Sequence, residues 1–165
     1  MTSQDFRNEI ELKRPRYLSK YSSLMEMIST KGSVSGGYVQ FGAFYQTYMY
    51  AFMLGYKLGN CVPIAGGSGQ KDFAPISQWK PNDIVDYILM LCFSEPVERL
   101  GFSWIELNTM NDDDLRAVIS SIIRIIEGYA NSGLEFIQQK FDNHKEEFSD
   151  PFVFVNMLRE VGENK

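Results

Sequence analysis

The residues with the most chemical promise form the segment Ala65-Gly66-Gly67-Ser68-Gly69-Gln70-Lys71-Asp72. A glycine-rich turn followed by a lysine can aim backbone N–H groups and an ammonium at phosphate oxygens. The nucleotide-binding loop requires Gly, four residues, then Gly-Lys-Ser/Thr. Here Gln70 separates the glycine from Lys71, and Asp72 stands where a hydroxyl would hold magnesium. A carboxylate at that place repels phosphate, so the segment is expected to be an exposed loop, with Lys71 kept as a phosphate contact.

Acid–base and metal chemistry fare no better. Asp112-Asp113-Asp114 puts three carboxylates together, but consecutive residues fan around a helix, and aspartates at a helix start serve first as caps. No second acidic cluster with histidine accompanies them, as two-metal chemistry would need. His144 is the only histidine, set among Asp142, Asn143, Lys145 and Glu146 on what reads as a solvated face. Cys61 and Cys92 lack metal-site spacing, and a domain of this size has no need of a disulfide framework, so both are expected as thiols. The expectation is no catalytic residue, no metal and no cofactor.

Binding is the remaining chemistry. Lys13-Arg14-Pro15-Arg16 forms a short basic run whose cations, with Lys71, are the candidates for contacting nucleic acid. Affinity of that kind depends on many neutralised phosphates. Eight aromatic residues lie between Tyr38 and Tyr56 with no basic residue until Lys57, so they read as core before they read as a stacking platform. Tyr38, Tyr50 and, further on, Trp79 are the candidates for a partner-binding face.

The elements that would position these residues are mainly helices. A short helix is expected from about Ser19 to Ile28, then a loop over Gly32-Ser33-Val34-Ser35-Gly36-Gly37. Phe41, Phe44, Tyr45, Tyr48, Phe52 and Tyr56 recur at helical spacing. Beside them Ala51, Gly55 and Gly59 stand four apart, where another backbone can approach closely, and Gly59-Asn60 supplies a stop. A long connection over 61–80 follows. Pro81 opens a helix whose Ile84, Val85, Ile88, Leu89, Cys92 and Phe93 make it read as buried on more than one side. Residues 102–107 read as a strand or a packed loop. Asn111 caps a helix carrying Leu115, Val118, Ile119, Ile122, Ile126 and Tyr129. Ala130-Asn131-Ser132-Gly133 argues for a break or kink there, because an unbroken helix from 112 to 147 would be about 54 Å long. A last helix opens at Ser149-Asp150-Pro151 with Phe152, Val155, Met157 and Leu158.

The 165 residues, 44% hydrophobic and 22% charged, suit a mainly α, single compact multi-helix domain over 19–165, with a long glycine-rich loop and room for one short strand or hairpin. Residues 1–18 read as a polar basic arm. No charge occurs between Lys31 and Lys57, but polar groups run throughout that stretch, so no membrane span is expected. With no signal-like start, the expected place is the cytoplasm. The net charge of −5 divides into +4 over 1–80 and −9 over 81–165.

Two segments carry a family resemblance: Ala51-Phe52-Met53-Leu54-Gly55-Tyr56-Lys57-Leu58-Gly59 with Val62-Pro63, and Glu127-Gly128-Tyr129-Ala130-Asn131-Ser132-Gly133-Leu134-Glu135. They resemble the small Dnd system-associated proteins, type 4, of bacterial DNA phosphorothioation loci. Gly128 intervenes within the second motif, and Ser132 stands where the family has glycine. The resemblance implies a bacterial accessory protein near DNA modification or phage defence, and no reaction. The leading expectation is therefore a non-enzymatic helical adaptor that works through protein partners, with direct DNA contact and self-association left open. The alternatives are a small enzyme or ligand-binding protein using the 61–80 loop, and a DNA-binding protein using the basic N-terminal half.

Overall fold

The computed structural model describes residues 1–30, 37–67 and 69–163. The expected loop over 32–37 lies outside them except for Gly37, as does Ser68 of the glycine-rich segment. The fold is mainly α. Its helices are α1 (Ser3–Glu11), α2 (Ser22–Ile28), α3 (Phe44–Leu58), α4 (Asn82–Phe93), α5 (Val97–Leu100), α6 (Asp112–Asn143) and α7 (Val153–Glu163), with two short strands, β1 (Arg16–Leu18) and β2 (Gln70–Asp72), paired together. Two compact units are distinguished: Met1–Pro15 with Asp72–Ile126, and Arg16–Lys71 with Glu127–Lys165.

In the first unit, α1 begins with a reciprocal cap in which Asp5 N–H donates to Thr2 Oγ1 at 3.1 Å and Thr2 N–H donates to Asp5 Oδ2 at 3.0 Å. That motif satisfies two of the N–H groups a helix start leaves unpaired. The stretch expected as a polar arm is thus a capped helix followed by β1. Arg7 of α1 reaches Asp86 of α4 at 2.6 Å. Ile76 and Trp79 are buried beside α1, and Phe73 N–H donates to Pro15 O. α4 buries Val85, Ile88, Leu89 and Cys92, and the first half of α6 buries Val118, Ile119, Ile122 and Ile126. Asn111 caps α6 as its sequence predicts, with Oδ1 accepting from the N–H groups of Asp113 and Asp114.

The second unit is built around α3. Residues Thr47–Phe52, Leu54 and Gly55 are all buried, the signature of a helix enclosed on every side. α2 and α7 pack on it. The second half of α6 crosses it so closely that a Cβ on Gly55 would stand 1.9 Å from Tyr129 O, and one on Gly133 1.8 Å from Ala51 O. β1 runs beside β2, with Ser19 N–H donating to Gly69 O. Gly59 ends α3 in the left-handed conformation at φ 70°, which favours glycine.

Two further expectations change in α6 and α7. The break at 128–133 does not occur, and α6 is continuous through it. The length argument assumed a helix serving one core, whereas α6 contributes residues to both units. Its glycines are there for contact: a Cβ on Gly128 would meet Cys61 Sγ at 2.6 Å. In α7 the buried residues are Val153, Phe154, Met157 and Val161, while Phe152 and Val155 face outward. Four successive apolar residues, 152–155, leave the phase of that helix ambiguous in sequence.

Candidate functional site

Three of the four expected phosphate and nucleic-acid cations, Arg14, Arg16 and Lys71, have side-chain partners within the fold. Arg16 lies on β1 against Glu127, whose side chain is almost wholly buried. Its Nε donates to Oε1 and its Nη2 to Oε2, both at 3.0 Å, while its backbone N–H donates to Oε1 at 2.8 Å. The forked pair is the geometry in which guanidinium and carboxylate bind most strongly. Arg16 Nη1 also donates to Gln70 Oε1 at 2.6 Å, and Gln70 Nε2 donates to Ala65 O. Arg14 Nε donates to Phe73 O at 3.2 Å and Lys71 Nζ to Ser22 Oγ at 2.9 Å. Lys13 is half-buried, and its carbonyl accepts from Ile76 N–H.

The 61–72 connection is likewise fastened down. Val62 N–H donates to Gly128 O and Asn131 Nδ2 donates to Val62 O, each at 3.1 Å. Tyr48, fully buried, donates its hydroxyl to Arg16 O at 2.9 Å, and burial, then the nearby Glu127 charge, holds its phenol well above the usual tyrosine range. This network is a structural joint. Asn131 Oδ1 is buried without a partner among the described residues, and an ordered water is the simplest group to satisfy it.

The three aromatic candidates also have internal roles. Trp79 is 1% exposed, with Nε1 donating to Ala74 O at 3.0 Å. Tyr50 is buried, its hydroxyl donating to Phe154 O at 2.6 Å, and burial raises its phenol pKa. Both are therefore closed to a partner in this structure. Tyr38 is half-buried against Phe141, with the Lys145 ammonium 5.4 Å from its ring centre. A groove of about 380 Å³ lies over Tyr21, Leu24 and Met27 with Lys20 and Glu135 on its rim. Among the described residues no three metal-ligating side chains gather, and no helix is long and apolar enough to cross a membrane.

What the sequence misplaces is α4. Instead of burial on several sides, it exposes Ile84, Tyr87 and Met90, the last two at 47% and 53%. Residues three apart on a helix share one side, so these form a continuous strip alongside the buried Val85, Ile88 and Cys92, with Ile84 at the edge one turn before Ile88. The half-buried Phe93 meets Trp104 edge-on with ring centres 5.0 Å apart. Trp104 is 45% exposed and the adjoining Ile105 86%, and Val97 on α5 is also outward. Carboxylates attend each part. Asp83 lies one turn before Tyr87 and Asp86 one turn before Met90, while Glu98 follows Val97 and Glu106 follows Ile105. The segment 81–107 contains five acidic residues and one cation, Arg99; Arg99 is held by the buried Glu95 at 2.7 Å, and Arg7 of α1 bridges Asp86.

Compared with protein-family models, curated proteins and solved structures, the chain matches none of them. Isolated exposed apolar residues are ordinary on soluble proteins, but a run of Tyr, Met and Trp together has the composition of an interface centre.

Proposed function

We propose that the chain acts by binding, as a helical accessory or adaptor protein whose working surface is the outward strip of α4 with Val97, Trp104 and Ile105. The observation that carries this reading is the exposure of Ile84, Tyr87 and Met90 on a helix whose other side is fully packed. Each of those side chains keeps roughly 40–50% of its surface in water, so completing its burial offers on the order of 1 kcal/mol, which a partner supplies. The other chemically promising residues support the same reading by their internal roles. The setting proposed is DNA modification or phage defence, from the resemblance of two segments. Those segments supply Gly55 and Gly133 of the α3–α6 crossing and the buried Glu127, so a shared motif there speaks to a shared scaffold.

Photo-crosslinking in the native host tests the proposal. A photoreactive residue replacing Tyr87 is expected to capture a partner protein, and the same residue replacing exposed Gln139 is expected to capture none. Equal labelling from both positions, or none from either, would sink the adaptor reading.

A further inference from the structure

The acidic residues interleaved with the α4 strip restrict what can dock there. We infer that the surface receives a basic amphipathic helix of a partner protein, its apolar side on Tyr87, Met90 and Trp104 and its Lys/Arg residues against Asp83, Glu98 and Glu106. This rests on the adaptor reading and adds the partner's chemistry.

The charge pattern selects among occupants. DNA and anionic lipid surfaces present phosphate, which the carboxylates at Asp83, Glu98 and Glu106 repel. A second copy in a two-fold arrangement would set the same acidic patch against itself, since such contacts place like surface on like. A helix with an apolar stripe and basic margins meets both requirements at once. Its length is also fitting: α4 has 12 residues, about 18 Å at the helical rise, which matches apolar anchors spread over three turns of a docking helix. Asp86 is already bridged by Arg7, so Asp83, Glu98 and Glu106 are the carboxylates available for steering. Glu106 also accepts from Ser103 N–H through Oε2, leaving its second oxygen to the partner.

The full chain carries its own reporter, because Trp79 is buried and Trp104 is exposed. Titration with a synthetic leucine–lysine amphipathic helix is expected to shift Trp104 emission to the blue, and the shift disappears in Trp104→Phe. A peptide with the same leucines and glutamate in place of lysine is expected to bind at least ~10-fold more weakly. The triple variant Asp83→Asn, Glu98→Gln, Glu106→Gln weakens the lysine peptide by a similar factor with an unchanged circular dichroism spectrum, and added salt does the same. Equal binding of the two peptides overturns the inference, as does binding of neither. Crosslinking from Tyr87 to an acidic or uncharged partner segment overturns it too while leaving the adaptor reading intact. Dimerisation of the chain that Met90→Glu abolishes would assign the face to a second copy and also overturn it.

Discussion

Gly55 and Tyr129 approach so closely that a Cβ on the glycine would stand 1.9 Å from the tyrosine carbonyl oxygen. Neither Gly55 nor Gly133 has a positive φ, so the cost of adding a methyl there is purely steric. Both obstacles are backbone atoms, which cannot rotate away. Gly55→Ala and Gly133→Ala are each expected to lower stability by about 3 kcal/mol or more, at the upper end of overpacking effects. Gly66, whose missing Cβ faces open space, is the control. Its alanine variant should stay within ~0.5 kcal/mol of the parent in urea denaturation.

The Arg16–Glu127 pair is asymmetric. The glutamate side chain is 3% exposed and the arginine 38%. Removing the arginine strands a buried carboxylate, whereas removing the carboxylate leaves a cation that water can still reach. Arg16→Met is therefore expected to cost about 3 kcal/mol and Glu127→Gln about half that. The double variant should cost less than the two singles together by at least ~1 kcal/mol. Strict additivity in a double-mutant cycle would show that the pair is not coupled.

Alkaline pH should loosen the second unit. Burial is the first cause that raises the phenols of Tyr48, Tyr50 and Tyr21. A folded-state pKa above the unfolded value means that the unfolded chain releases its proton first. The stabilising contribution is complete below the unfolded pKa of about 10 and falls as pH rises through the folded value. Each such phenol adds up to about 1.4 kcal/mol of lost stability per pH unit in that window. Urea midpoints measured from pH 9 upward should fall ever more steeply above ~10. Tyr50→Phe should flatten the curve, although it also loses the bond to Phe154 O.

The contrast between α3 and α4 shows where the sequence is informative. In α3 the aromatic spacing from Phe44 to Tyr56, the small residues at 51 and 55 and the Gly59 stop are legible, because each acts through local geometry, whereas Phe41, expected on the same stripe, lies before the helix and is 39% exposed. The same logic misread 128–133 as a break. A glycine inside a helix costs about 1 kcal/mol against alanine, and only the neighbouring α3 backbone and Cys61 explain why Gly128 and Gly133 are nevertheless helical. Arg16 and Glu127, 111 residues apart, gave no local sign of pairing, so Arg16 looked like a free basic residue. α4 failed for a different reason. Apolar residues on all sides indicate burial only if every side has a neighbour within the chain, and periodicity is silent about whether one exists.

That ambiguity sets the most discriminating mutational comparison. If the α4 strip is a surface, Tyr87→Ser and Met90→Ser should alter stability by no more than ~0.5 kcal/mol. Ile88→Ala and Leu89→Ala, one position away from those residues but buried, should cost about 2–5 kcal/mol. The serine variants should also lower retention on a hydrophobic-interaction column, because they remove apolar area already facing water, whereas Ile88→Ala should leave retention of the folded protein unchanged. A comparable loss of stability in all four variants would place Tyr87 and Met90 inside the protein and remove the observation on which the binding function rests.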